Sequence, residues 1–362
     1  MKILICGSRG IPAQYGGFES LAEALAINLN ARDNRVTVSG FRAELKRELS
    51  KEVHGVISYQ VPAIGPRFVQ NLLSTWKSTR DLDAKDDFDF VIVLNDVNYF
   101  VALKYMKKGI RTVLHLDGAE ARRSGLPMIG KLAHWFFRQL AIRSQIPLVV
   151  DSSSIRDQLS QARKDVKVIA YAPHLAKAKK PNLSNLGIPD QDFYLVIARF
   201  VEENQLLEAI EAYRESNLNE TLVIVGLGTG TKKYERQVLE AARECEGVRV
   251  LPKNYNRGEI NWLLQNAKAY IHGHSVGGTN PILVDARAHS RLIFSHNNQY
   301  NRENSGKKES HWDSVEELTE LINTADSRVI PKDMMFNYDF ETWDGITKQY
   351  MEMYDQRLSS EK

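Results

Sequence analysis

Residues 269–285, AYIHGHSVGGTNPILVD, carry the pattern from which the fold is read. An apolar strand at Ala269–Gly273 leads to the Gly277-Gly278 turn. Thr279 or Asn280 then offers a cap, and Pro281 suits the first helical position, where its missing N–H is no loss. Strand, glycine turn and capped helix make one β-α unit of a parallel sheet, and the N–H groups at such a helix start suit an anion. We expect the amides of Gly278, Thr279 and Asn280 to hold a diphosphate, and Asp285, one turn further in, to face ligand hydroxyls. A helix that is only well capped accounts for the same residues, but a cap does not need two glycines before it.

The same rhythm extends in both directions. Short β-rich runs, KILIC (2–6), RVTVSG (35–40), FVIVL (90–94), TVLHL (112–116), PLVVD (147–151) and VKVIAY (166–171), alternate with helical patterns. Phe18, Leu21, Ala22, Leu25 and Leu29, for example, share one helical face. The stretch 172–192, with Pro173, Pro181, Pro189 and the lysines of AKAKKPN, interrupts the rhythm and reads as a solvated connection. A second series follows: FYLVIARF (193–200), TLVIVG (221–226), GVRVL (247–251), AYIHG (269–273) and RLIFS (291–295). A chain of 362 residues suits two such domains, expected at 1–175 and 176–335, with a terminal helix in 336–362.

Composition excludes several classes. A net charge of +3 provides no global field for nucleic acid, and no apolar run is long enough to span a bilayer. MKILICGSRG passes from strand to glycine turn without the features of a secretory leader, so a cytoplasmic location is expected. Cys6 and Cys245 read as buried fillers in a reducing compartment, and neither their number nor their spacing makes a metal site.

A second anion-ready loop, GSRGIPAQYGGFE at 7–19, joins the first strand to the first helix. Gly16 and Gly17 allow close backbone approach there, and Arg9 adds a cation. A tight turn explains the glycines alone; their pairing with Arg9 and a helix start favours phosphate. GLGTG at 226–230 fails as a dinucleotide fingerprint, because the sixth position is Thr231 and the next strand ends in Leu251-Pro252-Lys253 without a ribose-gripping carboxylate. This counts against an oxidoreductase or epimerase. His272 and His274, two apart, read as hydrogen-bonded cleft residues rather than a metal pair, for want of a third ligand.

These motifs, with DGAEARR (117–123), ARFVEEN (198–204) and Asn301-Arg302-Glu303, make the chain resemble the family-four retaining glycosyltransferases, and within them a bacterial rhamnosyltransferase-like subgroup. The resemblance runs along nearly the whole chain. It implies a GT-B fold of α/β class, two Rossmann-like domains facing each other across a cleft: an N-terminal acceptor domain, a C-terminal donor domain, and a terminal helix that crosses back to the first. It also implies metal-free transfer, with no cofactor, of a hexose or deoxyhexose with retained anomeric configuration. For the subgroup, L-rhamnose passes from dTDP-rhamnose to a lipid-linked saccharide in capsule or O-antigen assembly. Arg199 matches the arginine that grips the donor diphosphate, and Asn204 replaces the usual lysine five residues later. Asp285 matches the glutamate that binds the nucleoside ribose, one methylene shorter, and Gly277 stands where many relatives carry a first glutamate. DGAEARR lacks the subgroup's tryptophan after Glu120. The shortened Asp285 leaves a catalytically silent, nucleotide-binding scaffold as an alternative, and a UDP- or GDP-sugar as another.

A retaining transfer needs charge neutralised on the leaving diphosphate and an acceptor hydroxyl delivered to the same sugar face. Arg199, the 277–280 amides and the Gly16-Gly17 loop are the expected donors. Asp117, with Glu120 in reserve, is expected to orient the acceptor or steady developing charge, although Asp117-Gly118 also reads as a plain turn. Arg122 and Arg123 open a basic-aromatic stretch that continues through Lys131, His134-Trp135-Phe136-Phe137-Arg138 and Arg143. With Arg67, Phe68, Trp76 and Lys77 it suggests acceptor binding beside an anionic inner-membrane surface, unless it is a core helix with a solvated basic edge.

Overall fold

The computed structural model describes every residue except 14–15, 67–68, 117, 119–126, 189–191, 217, 227–231, 255, 304, 307, 329–340 and 361–362, together with the side chains of 185 and 356–360. The chain forms two compact units. Unit 1 comprises Met1–Tyr171, Gly277–Thr279 and Glu341–Lys362; unit 2 comprises Ala172–Val276 and Asn280–Phe340.

Unit 1 is built on eight strands: β1 (Lys2–Cys6), β2 (Arg35–Arg42), β3 (Leu49–Val53), β4 (Val56–Pro62), β5 (Phe90–Leu94), β6 (Arg111–His115), β7 (Leu148–Val150) and β8 (Lys167–Val168). Their order is β3-β4-β2-β1-β5-β6-β7-β8. Every pairing is parallel except the β3–β4 hairpin. β1 and β5 lie inside the sheet with helices on both faces, which is why KILIC and FVIVL are unbroken apolar runs, buried but for Lys2. The hairpin escapes the alternation read from sequence for two reasons. β3 is almost wholly exposed. β4 buries polar Ser58 and Gln60, whose side chains donate to the Ile11 carbonyl at 2.8 and 3.3 Å.

The helix Gly17–Asn30 buries Leu21, Ala22, Leu25 and Leu29 along one stripe, with Phe18 half-buried. The terminal helix Trp343–Ser360 packs beside it. Buried Tyr350 there meets His115 of β6, Oη to Nδ1, at 2.7 Å.

Unit 2 holds β9 (Phe193–Ala198), β10 (Thr221–Gly226), β11 (Val248–Leu251), β12 (Ala269–His272), β13 (Ile293–His296) and β14 (Glu309–Trp312). All its pairings are parallel, in the order β11-β10-β9-β12-β13-β14. Alternate side chains feed two cores, one with Tyr194, Ile224, Phe294 and Trp312, the other with Leu195, Tyr270, Leu263 and Leu283. This doubly wound topology reverses direction between β9 and β12, and a ligand crevice is expected outside the carboxyl ends of such strands. Unit 1 reverses likewise between β1 and β5.

The connection 172–192 is less solvated than its composition suggests: Ala172 and Pro173 are buried, and Leu183–Leu186 forms a helical turn. No helix among the described residues is long and apolar enough to cross a membrane.

Candidate functional site at the unit 2 switch point

The chain leaves β9 through half-buried Arg199, makes a 3-10 turn at Glu202–Asn204, and enters the helix Leu206–Glu215 through Gln205, whose φ of 49° is left-handed. Non-glycine residues hold that conformation only where their surroundings enforce it. Here the enforcement comes from the loop after β12. Asn204 donates through Nδ2 to the Arg199 carbonyl at 2.7 Å, and its Oδ1 lies 2.8 Å from His274 Nδ1. Ser275 donates through its backbone N–H to the Glu203 carbonyl at 2.8 Å. Gly273 lies so close that a Cβ there would come 2.2 Å from the Asn204 carbonyl oxygen.

A third loop, after β13, locks the second. Asn298 and Asn301 both donate to the His274 carbonyl at 2.9 Å, and Asn301 also donates to the His296 carbonyl at 2.8 Å. Arg199 and Asn204 therefore lie in a loop tied to the HGHS segment, and of Asn301-Arg302-Glu303 it is Asn301 that bonds to that segment. His272 is fully engulfed, its Nδ1 3.0 Å from Tyr270 Oη. Burial, and then the charges of His274, Arg287 and His296, push its pKa well below the usual imidazole range, so it is neutral at physiological pH.

The helix Pro281–His289 starts as expected, with Asn280 Oδ1 accepting from the Ile282 N–H at 3.1 Å and Pro281 in the first turn. Asp285 differs from its expected orientation toward a ligand. Its carboxylate has no exposed surface; Oδ1 accepts from the His174 N–H at 2.7 Å, with His174 Nδ1 at 3.3 Å, and Oδ2 pairs with Arg257 at 3.3 Å. Burial favours the neutral acid, but His174 and Arg257 outweigh it and hold the carboxyl below the ordinary aspartate range. A ribose hydroxyl would have to share oxygens that already tie the segment around His174 to unit 2. Neither partner was visible in the sequence: His174 lies in the lysine-proline stretch, and its carbonyl is gripped in turn by Asn261 Nδ2 at 2.9 Å.

Gly277–Thr279 pack with unit 1, rather than with the domain in which the sequence reading placed them. Gly277 and Gly278 have φ of 82° and 89°, so the turn needs both glycines. Thr279 donates through its N–H to Asp151 Oδ2 at 3.2 Å and through Oγ1 to the Asp151 carbonyl at 3.0 Å. One of the three amides expected to hold a diphosphate thus already carries a carboxylate. The loop before the first helix is similar. Gly16 (φ 101°) and Gly17 stand at the helix start, but the Arg9 and Ala13 amides donate to Glu19 and Glu23 at 3.0 and 3.2 Å. The candidates Asp117, Glu120, Arg122 and Arg123, most of GLGTG, and Arg67 and Phe68 lie outside the described residues.

A protein-family profile described as a domain of unknown function (DUF1972) matches residues 1–173. No curated protein matches the sequence. Among solved structures, the chain is similar to sucrose-phosphate synthase from Thermosynechococcus elongatus, at 13% identity over 99% of each chain and a TM-score of 0.77. It is also similar to alpha,alpha-trehalose 6-phosphate synthase from Burkholderia multivorans, at 11% identity over 99% of each chain and a TM-score of 0.68. A UDP-forming alpha,alpha-trehalose-phosphate synthase from Burkholderia xenovorans, in complex with glucose-6-phosphate, is 9% identical over 98% of this chain and 96% of its own, with a TM-score of 0.70. The chain has the α/β GT-B fold, two parallel-sheet units, as its motifs led us to expect.

Proposed function

We propose that this chain is a retaining glycosyltransferase that takes its sugar from a nucleoside diphosphate donor held at the carboxyl ends of β9 and β12. The reading is supported by the three-loop weave at the unit 2 switch point, in which Asn204 joins the Arg199 backbone carbonyl to the loop of the HGHS segment. A guanidinium there neutralises charge on a departing diphosphate, which is where transition-state charge develops. In this proposal the reaction needs no metal or cofactor. Asp117 orients the acceptor hydroxyl or steadies the sugar cation, Glu120 is its reserve, and Arg122 and Arg123 approach the acceptor.

The sequence motifs favour L-rhamnose from dTDP-rhamnose, with a lipid-linked saccharide as acceptor on the cytoplasmic face of a membrane. A second reading, a UDP-sugar donor, is favoured by the structural relatives, one of which is UDP-forming and another, a trehalose-6-phosphate protein from E. coli, bound with UDP-2-fluoro glucose. Incubation with dTDP-rhamnose, UDP-glucose and GDP-mannose, with and without polyprenyl-diphosphate-linked saccharide, decides between them. Consumption of dTDP-rhamnose with an α-configured or β-configured product matching the donor supports the first reading. Consumption of the UDP-sugar keeps the reaction class and replaces the sugar. Nucleotide binding with no turnover of any donor overturns the enzyme in favour of a silent scaffold.

A further inference from the structure

We infer that the outer face of the helix Met128–Arg143 docks this protein on a bilayer surface bearing anionic headgroups. The inference stands on unit 1 alone and does not depend on the donor. Two polar anchors on the inner side fix the rotation of the helix. His134 Nδ1 lies 2.7 Å from a buried Asp96 oxygen, and Arg138 donates to the Gly118 carbonyl at 3.0 Å. Gly130 and Ala141 are buried on that side.

The opposite side is exposed and, apart from Gln139 and Arg143, apolar. Met128, Ile129, Leu132, Trp135 and Phe136 are 70%, 62%, 58%, 58% and 49% exposed. At 3.6 residues per turn they fall within an arc of about 120°. Phe137 meets Phe100 of the helix Tyr99–Lys107 edge-on at 5.7 Å, and Phe100 is itself 43% exposed, so the patch continues onto a second helix. Water-facing patches of this kind mark an interaction surface.

Charge selects the occupant. Met128–Arg143 contains no Asp or Glu, and Lys131, Arg138 and Arg143 are its charged residues. Lys107 follows Phe100 at seven residues, on its own helical stripe, while Lys104, at four, is paired with Asp83 at 2.7 Å. Among the described residues Lys107, Lys131 and Arg143 make no ion pair. An aromatic-apolar strip edged by cations fits the boundary between acyl chains and anionic headgroups, whereas a second copy of the same face would oppose like charges. Sixteen residues, about 24 Å of helix, suit a helix lying in the plane of that boundary rather than across the membrane.

The test uses the full chain with vesicles of phosphatidylcholine alone and of phosphatidylcholine with about one-third phosphatidylglycerol. We expect co-sedimentation with the anionic vesicles, at least about tenfold weaker binding to the neutral ones, and weakening by added salt. Leu132→Ser with Trp135→Ser should lower anionic-vesicle binding at least about tenfold while circular dichroism and Tm stay unchanged, because both residues face outward. Equal binding to both vesicle types, no binding, or wild-type binding by the double variant would overturn the proposal. So would a concentration-dependent dimer in sedimentation velocity that the double variant abolishes, since that assigns the face to self-association. None of these readouts involves a sugar nucleotide.

Discussion

The two switch points of this chain share a topology and differ in what fills them. In unit 1, the glycine loop after β1 is closed by acids: Glu19 and Glu23 accept from the amides of Arg9 and Ala13, and Asp151 accepts from Thr279. In unit 2, the loops after β9, β12 and β13 are laced together by Asn204, His274, Asn298 and Asn301, and Asn204 also holds the Arg199 carbonyl. A diphosphate approaching the first meets carboxylates on the Arg9, Ala13 and Thr279 N–H groups, of which Thr279 is one expected to hold it. At the second, the groups that lace the loops are amides, an imidazole and backbone carbonyls, and the proposed function assigns the cation to Arg199. Glycines at a helix start therefore do not by themselves make an anion site; the residues that already occupy the amides decide.

The largest expected effect that bears on this comparison is on the fold of unit 2. Asp285→Ala removes a fully buried carboxylate and leaves the His174 amide and Arg257 without it, which should cost about 3 kcal/mol in urea unfolding at pH 7. The sign with pH follows from the lowered carboxyl. Its contribution is complete above the unfolded value of about 3.9 and is lost as pH falls through the folded value, so wild type and variant should converge in acid. Next, Gly273→Ala drives a methyl into the Asn204 carbonyl and should destabilise by about 1–3 kcal/mol, with nucleotide affinity falling alongside. Asn204→Ala frees the Arg199 loop without creating a clash; calorimetry should show about tenfold weaker nucleotide binding, with a stability loss of about 1–2 kcal/mol. Smallest of all, Glu19→Gln in unit 1 should leave nucleotide affinity within about threefold, the size of a remote charge effect.

The β-α alternation was legible because central parallel strands must be apolar on both faces, as KILIC and FVIVL are. The β3–β4 hairpin was not: β3 lies at an exposed edge, and β4 buries serine and glutamine that bond to the Ile11 carbonyl. At the site, the Asn280 cap, Pro281 and the paired glycines could be read locally, since each answers a backbone need within a few residues. What Asp285 and Thr279 touch could not. Their partners, His174, Arg257 and Asp151, are 111, 28 and 128 residues away and carry no local signature. The basic-aromatic stretch after Arg123 announced a surface or a core helix equally well; only the anchoring of His134 and Arg138 determines which face is outward.

In the proposed function, the switch point of unit 2 holds the donor diphosphate through Arg199. The most direct test is calorimetric titration of dTDP and UDP into wild type, Arg199→Ala and Glu19→Gln. We expect one nucleotide to bind wild type, Arg199→Ala to weaken it by at least about 30-fold, the worth of a charge-assisted contact of roughly 2 kcal/mol, and Glu19→Gln not to. Unchanged affinity in Arg199→Ala, or a loss confined to Glu19→Gln, would contradict it and move the donor to the loop of unit 1.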